Sequence, residues 1–135
     1  MTKYNARKKT VDGITFDSIQ ESQYYLHLKE KQEKGEILAF NLQPKFTLQE
    51  SFKKHGKTHR KIEYVADFEI LHHDESIEII DVKGFETADF KIKRKLFEKK
   101  YPFKLTLVKH VKKYGGWIST DEWRKRKKEE KKVKK

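Results

Sequence analysis

Apolar residues recur at every second position twice in the first half of the chain. Phe46 and Leu48 alternate with polar neighbours, which predicts a strand over 45–52. Ile62, Tyr64, Ala66, Phe68 and Ile70 do the same over 61–71, predicting a second strand with those five side chains on one face. Residues 77–83 are mostly apolar without alternation, the pattern of a strand buried on both faces and central in its sheet. Residues 103–108 alternate again and give a fourth strand. Between them, the basic stretch 53–60 and the stretch His72-His73-Asp74-Glu75-Ser76 read as turns.

Three segments read as helices. Ser18 to Lys34 opens with the capping-box spacing Ser18-x-x-Glu21 and is followed by Gly35, well placed to end it. Its apolar face, Ile19, Tyr25, Leu26 and Leu28, is imperfect. Residues 87–101 form a very basic second helix, stopped by Pro102, in which Phe90, Ile92, Leu96 and Phe97 are expected to pack. Residues 120–132, after Gly115-Gly116, form a third and highly charged helix. The order is helix, three strands, helix, strand. Short connections let the first three strands form an antiparallel meander. The last strand arrives through a helix and should lie parallel to residues 77–83. The expected fold class is α/β, a mixed central sheet flanked by helices.

Composition sharpens this picture. A chain of 135 residues is one domain's worth. Lys and Arg number 33 against 21 Asp and Glu, a net charge of +12, which suggests a polyanionic partner, nucleic acid before an anionic membrane surface. Residues 124–135 carry nine basic and two acidic side chains, +7 of that total. The chain therefore divides into a folded domain, 1–123, and a basic C-terminal tail, 124–135. The tail reads either as a non-specific phosphate grip or as a solvated terminus. There are no cysteines, which excludes disulfides, thiolate metal sites and cysteine nucleophiles and fits a reducing compartment. No apolar run approaches a membrane span, and the basic N-terminus, Met1 to Lys9, lacks the apolar stretch of a signal peptide.

Candidate chemistry centres on acids at strand ends. Asp81 and Lys83 share one strand face at the end of the apolar run 77–83, and charges are seldom placed there without a partner. If strands 61–71 and 77–83 pair about the turn 72–76, partners have numbers totalling 148, and Asp67 lies opposite Asp81. Two facing carboxylates repel unless a cation lies between them, and a hard oxygen-rich site suits Mg²⁺, with Mn²⁺ as a substitute. The plainer alternative is two hairpin acids satisfied by nearby lysines. Glu21 is either the capping partner of Ser18 or a third acid reaching the same metal. His55, His59, His72 and His73 lie in predicted turns and read as solvated loop side chains. No Gly-x₄-Gly-Lys-Ser/Thr, Gly-x-Gly-x-x-Gly or Gly-x-Ser-x-Gly motif occurs, so P-loop nucleotide hydrolysis and serine acyl chemistry are unsupported.

These pieces in this order resemble the PD-(D/E)XK nuclease superfamily. The likeness is strongest to a family of small phage-encoded proteins of unknown function within it. The segments that carry it are Lys8 to Gly13, Phe16-Asp17-Ser18-x-x-Glu21, Leu42-Gln43-Pro44-x-Phe46, Ala66-Asp67-Phe68, Asp81-Val82-Lys83-Gly84 and Thr87. Phe16-x-Ser18-x-x-Glu21 and Gln43-Pro44 also look like transposon-end-cleaving endonucleases. Ala66 stands where the superfamily's name has proline. The resemblance implies a restriction-endonuclease-like αβββαβ core. It also implies that Glu21, Asp67 and Asp81 are acidic metal-binding residues and Lys83 the catalytic lysine. The expected activity is Mg²⁺-dependent hydrolysis of DNA phosphodiester bonds, with branched substrates favoured by analogy with Holliday junction resolvases. Gln43, Lys91, Lys93 and Arg94 are the expected DNA contacts, Lys93 approaching the metal site most closely. Two symmetric incisions would call for a homodimer. The resemblance also implies a phage protein in a bacterial cytoplasm. The rival expectation is a non-catalytic nucleic-acid-binding protein, for which Asp67 facing Asp81 would serve no purpose.

Overall fold

The computed structural model describes residues 7–83 and 85–133. The first six residues, Gly84 and the last two lysines, all part of the readings above, lie outside the described residues. In chain order the elements are β1 (Lys9–Val11), β2 (Ile14–Phe16), α1 (Ile19–Glu33), β3 (Ala39–Leu42), β4 (Lys45–Gln49), β5 (Phe52–Lys54), β6 (Lys57–His59), β7 (Ile62–Val65), β8 (Phe68–Leu71), β9 (Ile77–Val82), α2 (Ala88–Lys100), β10 (Lys104–Val111), a 3₁₀ turn over Lys112–Tyr114, β11 (Gly116–Ser119) and α3 (Thr120–Val133).

The fold is α/β. A five-stranded mixed sheet has the order β11-β10-β9-β8-β3, with β9 at its centre. β10 runs parallel to β9, as expected of a strand reached through a helix, and the other pairs are antiparallel. Apolar clusters cover both faces. On one, Tyr24, Tyr25 and Leu28 of α1 meet Phe68, Ile70, Ile80 and Val108. On the other, Phe90 and Phe97 of α2 meet Phe46, Tyr64, Ile79, Leu105 and Leu107. This two-sided burial explains why 77–83 shows no alternation. No helix among the described residues is long and apolar enough to cross a membrane.

The predicted strand 61–71 is two strands. β7 pairs with β4, while β8 pairs with β9 and β3. Between them, the Ala66 N–H donates to the Pro44 carbonyl at 3.1 Å and the Asp67 N–H to the Ile80 carbonyl at 3.1 Å. The chain thus changes partners across one peptide bond without leaving these donors unpaired. The break also changes the meaning of the alternation. Tyr64 and Ala66 join the α2 cluster, whereas Phe68 and Ile70 join the α1 cluster. The register that totals 148 holds, with Phe68 opposite Ile80 and Ile70 opposite Glu78.

Six short strands went unread in the sequence. Residues 39–42 pair with β8, and β11 pairs with β10. The segment 9–16 is a β1–β2 hairpin turned by Asp12 and Gly13, both at positive φ. The basic stretch 53–60 is a two-stranded ribbon, β5 against β6, turned at His55-Gly56. Each is three or four residues long, too short to show a period.

Helix faces also needed correction. α1 buries Ser22, Tyr24, Tyr25 and Leu28, while Ile19 and Leu26 are exposed. Ile19 and Leu26 are seven residues apart and share a stripe, roughly half a turn from Leu28 at about 3.6 residues per turn. In α2, Phe90 and Phe97 are buried, but Ile92 lies on the solvent side. Residues 124–133 are not separate from the domain, because they continue α3. Arg124 pairs with Glu86 at 2.9 Å, and the Tyr114 hydroxyl donates to Glu130 at 2.8 Å.

The contrast within α2 is testable. Phe97 is fully buried against the rings of Phe46, Tyr64 and Tyr101. Phe97→Ala should cost about 3–5 kcal/mol in urea unfolding, and Ile92→Ala less than about 0.5 kcal/mol. Similar losses in both would refute this assignment of faces.

Candidate active site

The site forms where β9 ends and the β7–β8 break passes beside it. Asp81 points to the α2 side of the sheet, as does Ile79 two residues earlier. It is 2% exposed, and it is the only acidic or basic side chain buried among the described residues. Every donor near it is aimed at its carboxylate. The Asp67 N–H donates to Oδ1 at 3.0 Å, the Tyr64 hydroxyl donates a short hydrogen bond to Oδ2, and the Lys83 Nζ lies 3.7 Å from Oδ2.

Asp67 leaves the ladder at the break, and its carboxylate accepts the Val82 N–H at 2.8 Å. Its carbonyl accepts the Gln43 N–H at 2.9 Å, which ties the β3–β4 turn to the site. Gln43 has φ 49, and its exposed side chain lies at that turn. The two carboxyl groups are close enough to act on each other's protonation. Burial pushes the Asp67 carboxyl up to about 8, with the Asp81 and Glu21 charges adding to the effect. Burial raises Asp81 as well, but Lys83, Tyr64 and Asp67 all favour its charged form. Asp67 is therefore the protonated partner and Asp81 the charged one. Burial first, and then the Asp81 carboxylate, push the Tyr64 hydroxyl far above its ordinary range, so it remains a donor.

Glu21 stands between the two roles that the sequence left open. The cap at the start of α1 uses its main chain, whose N–H donates to Ser18 Oγ at 3.1 Å. Its carboxyl also interacts with Ser18, and it is half-buried. Burial raises it, followed by Asp17, and it feels both Asp81 and Lys83. The structure thus brings Glu21, Asp67, Asp81 and Lys83 within one electrostatic neighbourhood. Among the described residues, no group of three or more acids or histidines is gathered closely enough to hold an ion by itself.

Lys83 is half-buried. Its N–H donates to the Val108 carbonyl at 3.0 Å, and its ammonium lies 4.5 Å from the Phe90 ring centroid. Beside it opens a cleft of about 250 Å³ that also takes in Lys91, Lys109, Trp123 and Arg124. Of the three helix cations expected at DNA, Lys91 is therefore the one that borders the lysine of the site. Lys93 pairs with Asp89 at 3.8 Å. Arg94 pairs with Glu86 at 3.6 Å and Glu98 at 3.2 Å, and its charge reaches Tyr64.

Sequence reasoning missed Tyr64. Positions 64 and 67 fall on opposite faces of an unbroken strand, so only the break reveals that the tyrosine and Asp67 meet at Asp81. It also missed Lys109 and Arg124, because nothing local signals that β10 and α3 wall the cleft. His55, His59 and His73 are exposed, as expected, and His72 is half-buried. His72 pairs with Glu78 at 2.8 Å, His73 bonds the Gly35 carbonyl at 2.6 Å, and His59 of β6 stacks on Phe52 of β5.

Comparison with curated proteins and with solved structures found no match. A family model described as DUF1064, protein of unknown function, matches residues 1–116. That span includes all four acidic and basic residues of the site, and the chain belongs to the DUF1064 family.

Proposed function

We propose that the protein is a metal-dependent DNA endonuclease of the PD-(D/E)XK type, with Asp67, Asp81 and Lys83 as its catalytic centre and Glu21 beside them. The observation that carries this reading is a buried carboxylate, Asp81, that accepts the main-chain N–H of a second acid, Asp67, at 3.0 Å and has a lysine ammonium 3.7 Å away. A structural role alone does not account for the pair, since burying two acids together raises their cost.

The donor set fits Mg²⁺. This ion takes oxygen ligands and commonly binds through one or two carboxylates, filling its other positions with water and substrate phosphate. Asp67 and Asp81 would hold it, and Glu21 could contribute through a bound water. Bound there, the ion would supply Lewis-acid polarisation of the scissile phosphate and a more acidic water. The protein's own part follows from its geometry. The Tyr64 hydroxyl and the Asp67 N–H fix the Asp81 carboxylate and keep it charged. The Phe90 ring and Asp81 hold the Lys83 ammonium at the edge of the cleft, where it can hydrogen-bond an attacking water and offset charge developing on phosphate. Lys91, Lys109 and Arg124 extend the positive wall along the strand that would be cut. By analogy with resolvases, branched DNA is the favoured substrate.

Asp81→Asn and Lys83→Ala should each lower Mg²⁺-dependent cleavage of plasmid and junction DNA by about a hundredfold or more, while leaving DNA affinity nearly unchanged. Wild-type rates in either variant would remove the assignment. Tyr64→Phe keeps the ring but loses the donor to Asp81, and should reduce the rate less than Asp81→Asn does.

A second expectation concerns pH. The Asp67 carboxyl is raised from 3.8 to about 8 in the folded protein. Between those values the folded protein binds a proton that the unfolded chain has released. Its stability therefore falls as pH rises through that window. Asp67→Asn removes this term. In EDTA, its melting temperature relative to wild type should rise steadily from pH 4 to pH 8. Mg²⁺ at pH 8 should then stabilise the wild type and not the variant. A difference independent of pH would rule out the shared proton.

A further inference from the structure

The β5–β6 ribbon contributes nothing to either core cluster, and every residue from 50 to 61 is exposed. It continues the β4–β7 pair beyond the body of the protein. Residues 52–61 hold five basic side chains and no acid. Lys61 pairs with Glu63 at 3.3 Å. Lys53, Lys54, Lys57 and Arg60 have no ion-pair partner among the described residues.

The register makes the charge more pointed. Lys54 lies directly opposite Lys57, next to the His55-Gly56 turn, and Phe52 opposite His59 stacks on it at 4.7 Å. Like charges in directly opposed positions destabilise a ladder. A two-stranded ribbon is marginal by itself and gains nothing here from burial. The tight turn nevertheless fixes it, with both central residues at positive φ. The result is a projection whose tip carries opposed like charges that an anion would offset.

We infer that this arm is a groove-binding element that enters the major groove of duplex DNA. The inference rests on the nuclease reading for its choice of DNA. Dimensions favour the major groove. Two strands about 4.8 Å apart, with side chains on both sides, make a ribbon that fits a groove about 12 Å wide and not one about 6 Å wide. The three residues of each strand extend about 10 Å, enough to reach a floor about 8.5 Å deep. A-form RNA presents a deep, narrow major groove that would not admit it. Ten residues separate Lys57 at the arm tip from Asp67, about 33 Å along the ribbon, close to the ~34 Å turn of duplex DNA. A single duplex can therefore reach both. Lys54 and Lys57 would grip phosphates or purine edges from the tip, with Lys53 and Arg60 on the flanking backbones.

The test is anisotropy of a labelled 20-base-pair DNA duplex in EDTA across a salt series, comparing Lys54→Ser/Lys57→Ser with Lys128→Ser/Lys131→Ser, an equal loss of charge on the exposed face of α3. The arm variant should bind roughly tenfold more weakly at 100 mM salt, with a log–log salt slope shallower by about 1.8, while the α3 variant changes little. A duplex whose cytosines carry glucosylated hydroxymethyl groups, which fill the major groove, should weaken wild-type binding and abolish the gap between wild type and arm variant. Netropsin in the minor groove should leave the gap intact. Equal losses in the two variants, an unchanged arm variant, or a gap closed by netropsin and not by glucosylation would each overturn the inference. Plasmid cleavage in Mg²⁺, run alongside, separates the two readings. Arm-independent binding with intact cleavage sinks the arm and spares the nuclease. Arm-dependent binding without cleavage does the reverse.

Discussion

Asp67 ties the molecule together through all of its polar groups. Its N–H reaches the Ile80 carbonyl and Asp81 Oδ1, its carbonyl accepts from Gln43, and its carboxyl accepts from Val82. One residue therefore joins the β3–β4 turn, the β7–β8 break and the central strand. The break exists because β7 and β8 serve different partners, and Asp67 satisfies the main-chain groups that a regular ladder would have used. The same deviation swings its side chain towards Asp81. The bend that lets one segment contribute to both faces of the sheet is thus also what assembles the site.

The electrostatic consequence is a conflict resolved by proton sharing. Two carboxylates out of water cannot both remain charged without a cation. In the metal-free fold, the donors from Tyr64, Lys83 and the Asp67 main chain converge on Asp81, so the proton stays on Asp67. No buried side-chain oxygen or nitrogen among the described residues lacks a partner. The site is therefore satisfied with one negative charge. On the proposed reading, a divalent ion would enter in exchange for one proton, and its affinity would weaken below the range in which Asp67 gives up that proton.

Much of this was legible in the sequence for identifiable reasons. The central strand declared itself by a mostly apolar run without alternation, and the register followed from the short turn at 72–76. Together they placed Asp67 against Asp81 before any coordinates. Both α1 and α2 began where Ser18 and Thr87 could cap them. What stayed hidden was whatever depends on a change of partner. The alternation from Ile62 to Ile70 is continuous in sequence, yet its side chains divide between two cores at Ala66. Hence Tyr64 was read as core and its hydroxyl bond to Asp81 was missed. The strands of three or four residues were hidden for another reason. Their pairing comes from neighbours and tight turns, and a period needs more residues to show.

The distribution of positive charge separates two kinds of basic surface. The α3 end of the chain looked the more obvious grip, with +7 in twelve residues. In the fold, however, its cations are partly committed. Arg124 is held by Glu86 and Asp121 and Arg126 by Glu122, while Lys127 lies over the Trp123 ring; from outside the helix, Lys113 pairs with Glu130 and Lys109 lies over Trp123. Those contacts fasten α3 to β10 and give the cleft its outer wall. In the arm, Lys53, Lys54, Lys57 and Arg60 have no ion-pair partner among the described residues, and the segment has no core to support. Exposed ion pairs are worth little, so neutralisation within α3 shapes the surface more than it stabilises it. The same rule applied to the arm leaves its charge unexplained by folding, which places its purpose outside the chain.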